Sequence, residues 1–144
     1  MKSKFGFFAI TMLIFMTGIN AESFSYNRVD LMKLLKGERN LQGADLRGAE
    51  LVLMNLVGVN FSDANLSAAD LRRAELQNAQ LRSTNFSRAN LSSAILNHAN
   101  LTGAVLQNTI IKDISVKNAK IPIRYKDLFA KNKIKNLETV IWVN

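Results

Sequence analysis

Ala64-Asn65-Leu66-Ser67-Ala68 is followed by Ala69-Asp70-Leu71-Arg72-Arg73 and then by Ala74-Glu75-Leu76-Gln77-Asn78. Leucine returns every fifth residue, and the spacing continues outward in both directions. Leu41, Leu46, Leu51, Leu56, Phe61, Leu66, Leu71, Leu76, Leu81, Phe86, Leu91, Leu96, Leu101, Leu106 and Ile111 hold one unbroken register. Two positions earlier, ten of the fourteen residues from Ala44 to Thr109 are alanine; Met54, Val59, Thr84 and Thr109 are the others. The residue between these two positions is Asn, Asp, Glu or Gln in twelve of fifteen units.

A period of five excludes both regular elements. On an α-helix five residues advance about 500°, which spreads the leucines around every face. On a straight strand an odd period sends alternate leucines to opposite sides. The chain must therefore turn once per unit, so that each leucine meets a common axis. Turns of about 90° close a coil of about twenty residues, and coils stack at the ~4.8 Å spacing of paired strands. The leucine-class residues, Leu46 to Leu106 above all, form the core. The second inward position shares the remaining space and must be small. The other three residues of each unit face water. Such a coil buries its apolar surface only against the next one, which makes the chain a solenoid.

Ala44-Asp45-Leu46-Arg47-Gly48, Ala64-Asn65-Leu66-Ser67-Ala68, Ala69-Asp70-Leu71-Arg72-Arg73 and Ala89-Asn90-Leu91-Ser92-Ser93 resemble the unit of the pentapeptide-repeat family. The resemblance covers residues 40–123. It implies that family's all-β solenoid, a right-handed quadrilateral β-helix. Met54 and Val59 depart from the pattern at the small position, and Ile95, Val105 and Ile110 at the polar one.

Outside the repeat, Lys2 and Lys4 precede an apolar run from Phe5 to Ile19, and Asn20-Ala21 leads into polar Glu22-Ser23. Residues 1–21 therefore read as a cleaved signal peptide, the alternative being a retained anchor. Without cysteine, the chain forms no disulfides and carries no lipoprotein modification. Within 22–39, Tyr26 to Lys36 is predicted as a short helix that caps the open end of the solenoid. Asn27 or Ser25 starts it, Val29, Leu31, Leu34 and Leu35 give its apolar face, and Gly37 ends it.

Pro122, the only proline, is expected to end the shaft, because it has no amide for the ladder. In the tail, 124–144, Tyr125 to Lys131 reads as helix and Glu138 to Val143 as a terminal strand. Ile95, Val105 and Ile110 would form an outward apolar collar that Phe129, Ile134, Ile141 and Trp142 fold back to cover. The alternative is a homodimer through that end. Val52, Leu53 and Val57 make a similar outward patch on which the N-terminal helix is expected to lie.

The net charge of +8 is unevenly placed. Between Leu41 and Ile111 five arginines balance five acids, whereas Lys112 to Asn144 holds eight bases and three acids. Lys126, Lys131, Lys133 and Lys135 concentrate that charge in the tail, which suits an anionic envelope surface; without interleaved aromatics or a recognition motif, nucleic acid is an unlikely partner. Catalytic chemistry has no constellation to rest on. His98 is the lone histidine, on an outward position; there is no cysteine and no phosphate-binding glycine loop. No catalytic residue, cofactor or metal is expected. Glu50 and Asp70 stack one coil apart, but Arg72 and Arg73 beside them favour solvated pairing over a cation site.

The resulting expectation is a non-enzymatic bacterial binding scaffold, exported to the periplasm or the medium, that presents a rigid surface to a protein partner. The resemblance offers an alternative, since some family members mimic duplex DNA and inhibit gyrase. That role needs an acidic cytoplasmic rod, which this neutral shaft behind an export signal does not resemble.

Overall fold

The computed structural model describes residues 26–132, 134 and 136–144. The expected signal peptide lies outside the described residues, as do Lys133 and Lys135. From Asn40 to Lys120 the chain winds as a β-solenoid. Parallel bridges join residues twenty apart: Asn40 to Asn60, Asp45 to Asn65, Glu50 to Asp70, Asn55 to Glu75, and so on up to Asn100 with Lys120. Outward residues thus stack in columns that begin at Asn40, Asp45, Glu50 and Asn55.

Each five-residue unit pairs its backbone with the neighbouring coils and closes one turn of its own. The Leu46 N–H donates to the Asn65 carbonyl one coil on, and the Asn65 N–H donates back to the Ala44 carbonyl, both at 2.8 Å. A tight turn follows, closed by the Ala49 N–H on the Leu46 carbonyl at 3.1 Å. Every fifth residue from Gly43 to Asn118 takes a left-handed φ of 52° to 74° in that turn, although most of these residues are not glycine. The Asn or Asp before the leucine has a structural task as well. Its side-chain oxygen accepts the N–H two residues on, as Asn65 does from Ser67 and Asn90 from Ser92. This local bond favours the turn.

The inward assignment is visible in the burial. Leu46, Leu51, Leu56, Phe61, Leu66, Leu71, Leu76, Leu81, Phe86, Leu91, Leu96, Leu101 and Leu106 are all buried, with the alanines between them. Thr84 and Thr109 occupy the small position without stranding a hydroxyl, since each donates at 2.7 Å to a phenylalanine carbonyl, Phe61 and Phe86 respectively.

Of the turn glycines Gly43, Gly58 and Gly103, the last alone would bring an added Cβ against a neighbour. An added Cβ at Gly103 would sit 3.2 Å from Ser83 Oγ, whereas at Gly58 it would meet nothing within 4 Å. Both have positive φ, which costs a β-carbon about 1–2 kcal/mol. Gly103→Ala is therefore expected to lower the melting temperature by more than Gly58→Ala does, and paired thermal melts followed by circular dichroism check this.

Helix α1 spans Arg28–Leu35, capped by the Asn27 side chain, which accepts the Val29 N–H at 2.9 Å. Gly37 supplies the left-handed exit at φ 87°. Leu31 and Leu34 are buried, but Val29 is 63% exposed and does not belong to the apolar face. The helix also does not lie on Val52, Leu53 and Val57, all of which remain exposed. Polar bonds pull it elsewhere: the Asn27 N–H reaches the Asp45 carbonyl at 2.8 Å, and Asp30 Oδ2 accepts the Asp45 N–H at 3.1 Å.

At the other end, Pro122 does not stop the ladder. Strand β1, Lys120–Pro122, pairs in parallel with β2, Ile141–Val143, and Pro122 sits opposite Val143. The Ile141 N–H donates to the Ala119 carbonyl at 2.9 Å, so β2 adds one more rung. Between the strands lie a 3-10 helix at Ile123–Tyr125, helix α2 at Lys126–Lys131 and a second 3-10 helix at Leu137–Thr139. The terminal strand is thus shorter than the stretch from Glu138 expected from composition, because a left-handed Asn136 and the Thr139 Oγ1 bond to its carbonyl hold a turn there.

Candidate interaction surfaces

Two Asp–Arg pairs lie on the polar outer surface of the shaft. Asp45 and Arg47 form two side-chain bonds of 2.8 Å, and Arg72 Nη2 approaches Asp70 Oδ2 to 2.6 Å. These arginine bonds hold both carboxyls below their ordinary pKa. Glu50 and Asp70 do stack as bridged neighbours, but Arg72 engages Asp70. Among the described residues no group of three or more His, Cys, Asp or Glu could hold a metal ion. His98 is exposed on a left-handed turn position, φ 62°. A shallow polar hollow of about 330 Å³ lies between Ser67, Ser87, Arg88 and Gln107, with only one charged side chain among its lining residues.

The apolar collar is not covered. Ile95 is half-buried, bridged between Glu75 and Ser115, while Val105 and Ile110 stay exposed, Ile110 by 50%. The tail continues along the axis instead of folding down the sides. Phe129, Ile134 and Val140 are buried over the end of the core, and Trp142 packs edge-on against Phe129 with ring centroids 6.2 Å apart. Ile141, expected to help cover the collar, points outward and is 48% exposed, because it sits in register with outward Lys120. Lys126 and Lys131 are exposed on α2.

Two side chains near that end escaped the reading of the sequence. Where backbone pairing ceases after Pro122, the Tyr125 hydroxyl accepts the Leu106 N–H at 2.9 Å, and Arg124 Nη2 donates to the Ala104 carbonyl at 2.8 Å. The Arg124 guanidinium also lies 5.0 Å from the Tyr125 ring centroid. Together they serve two backbone groups that a further coil would have paired. Nothing in a five-residue period marks them.

The first coil carries a further exposed apolar group. Leu53 is 67% exposed, flanked in sequence by Val52 and Val57. At the corresponding positions the next coils hold Arg72, Arg73 and Gln77, then Ser92, Ser93 and Asn97. Leu53 also adopts φ 60°, a left-handed conformation that leucine disfavours. The fold does not need a leucine there.

Comparison with known proteins gives a consistent picture. The family model for pentapeptide repeats matches in eight copies across residues 40–78, 55–88 and 84–120. The chain is similar to the crystal structure of a pentapeptide repeat protein from the cyanobacterium Cyanothece 51142. Identity is 32% over 74% of this chain and 58% of that one, with a TM-score of 0.56. A pentapeptide repeat protein from Nostoc PCC 7120 is 28% identical over 67% of this chain and 80% of its own, TM-score 0.42. QnrB1, a plasmid-mediated fluoroquinolone resistance protein, is 15% identical over 58% of this chain and 50% of its own, TM-score 0.41. No curated protein matches the chain.

Proposed function

Because the chain belongs to the pentapeptide-repeat family, with its right-handed β-helix, we propose that it is an exported, non-enzymatic scaffold that binds a protein partner. In this reading residues 1–21 are a signal peptide, 22–39 a cap, 40–123 a four-sided shaft, and 124–144 a basic tail. The Asp45 N–H donates to Asp30 Oδ2, which supports the cap, since among the described residues no earlier coil offers that amide an acceptor. The gyrase-inhibiting alternative requires an acidic rod, and the balanced arginines and acids of this shaft do not supply one.

One observation carries the binding role: Val52, Leu53 and Val57 are exposed at turn positions that later coils fill with polar residues. Apolar groups kept in water, one of them in a strained backbone, are retained for contact. The double variant Leu53→Asn, Val57→Ser tests it, because Asn tolerates the left-handed region. Its melting temperature should match or exceed that of the parent. Crosslinking in cells should recover the parent's partner about tenfold less well, as for loss of an interface hot spot. An unchanged partner yield would overturn the assignment.

A further inference from the structure

We infer that the C-terminal end of the rod docks onto an anionic lipid bilayer. This deepens the scaffold reading and rests on it for its setting, by naming a second partner at the opposite end from the Leu53 patch. The observation is a change of surface at the last coil; two coils back Arg72 shares the Lys112 column, but it is paired with Asp70. Lys112, Lys117 and Lys120 are exposed at positions where the previous coil holds uncharged Ser92, Asn97 and Asn100. Exposed isoleucines bracket them: Ile110 precedes Lys112, Ile141 lies in register with Lys120, and Ile123 follows it in the chain. Asp113, Asp127 and Glu138 interrupt the pattern, yet residues 112–144 still carry eight bases against three acids.

A rim of three lysines with exposed isoleucines at either end of the run suits a plane better than a pocket. Aliphatic side chains enter the interfacial layer while lysines reach anionic headgroups. The charge falls on successive columns, so no single groove collects it, as a tracked nucleic-acid backbone would require. The aromatic rings near this end are also engaged. Tyr125 lies beneath Arg124 with its hydroxyl on the Leu106 amide, and Trp142 abuts Phe129, which disfavours base stacking.

The test is vesicle co-sedimentation of the full chain and of its Lys112→Gln, Lys117→Gln, Lys120→Gln variant. Glutamine already occupies two of these columns at Gln77 and Gln80, so the fold should be kept. Vesicles are phosphatidylcholine alone, or with about a third phosphatidylglycerol. Each lysine removed should weaken binding to the anionic vesicles about fivefold, roughly a hundredfold for the three. Binding to neutral vesicles, where the apolar N-terminal run contributes equally in both proteins, should not change. Raising salt to about 1 M, where the Debye length falls to about 3 Å, should erase the difference. Equal anionic-vesicle affinity of parent and variant would overturn the proposal. So would a short DNA duplex competing for the parent as well as the anionic vesicles do. Partner capture through Leu53 is read separately, so either reading can fail while the other stands.

Discussion

Leu76→Asp should leave no cooperative melt by circular dichroism, while its neighbour Gln77→Ala should melt with the parent. Leu76 is fully buried in mid-shaft, with coils on both sides depending on it. The substitution removes a leucine worth about 2–5 kcal/mol and places in its stead a carboxyl with no partner. Burial of that group costs several kcal/mol more, even if it takes up a proton. The sum rivals the whole stability of a domain, about 5–15 kcal/mol. Gln77 is the contrasting control. Its Oε1 is buried without a hydrogen-bond partner among the described residues, so truncation sacrifices no bond. A Leu76→Asp protein that melts within a few degrees of Gln77→Ala would dismantle the division into inside and outside.

The second large effect belongs to the end of the rod. Phe129→Ala is expected to cost about 3–5 kcal/mol, the usual range for a buried phenylalanine. Phe129 is 1% exposed, and the loss includes its edge-to-face contact with Trp142. The damage should be local, because a solenoid coil leans only on its neighbours. Trp142 is the single tryptophan and therefore reports on this end alone. In urea, its emission should shift to the red at lower denaturant than the loss of the far-ultraviolet signal, whereas in the parent the two should coincide. Coincident transitions at the parent's midpoint in the variant would show that Phe129 closes nothing.

Much of this architecture could be read directly because one residue class at one spacing admits one packing. The buried set from Leu46 to Leu106 follows from that spacing alone, and so does the stacking of Glu50 on Asp70. The ends were less legible, for a physical reason. A repeat says which residues point inward but not how its last amides find acceptors. Arg124 and Tyr125 do this through side chains twenty and nineteen residues from their partners, a relation that no local pattern encodes. The spacing likewise carries no sign of the free rung edge beside Ala119, whose carbonyl takes the Ile141 N–H and draws β2 along the axis, leaving the collar open. Nor does it mark the Asp45 amide, which bonds Asp30 and holds α1 away from the Leu53 patch.

The twenty-residue register has a consequence for how such a chain can change length. Adding a whole coil would lengthen the rod and leave every column in phase. Adding a single unit of five would turn everything downstream by a quarter revolution, so that the two ends faced new bearings with no alteration in either. Length and azimuth are therefore set together by the number of units, and only a copy of four units at once changes the first while leaving the second alone.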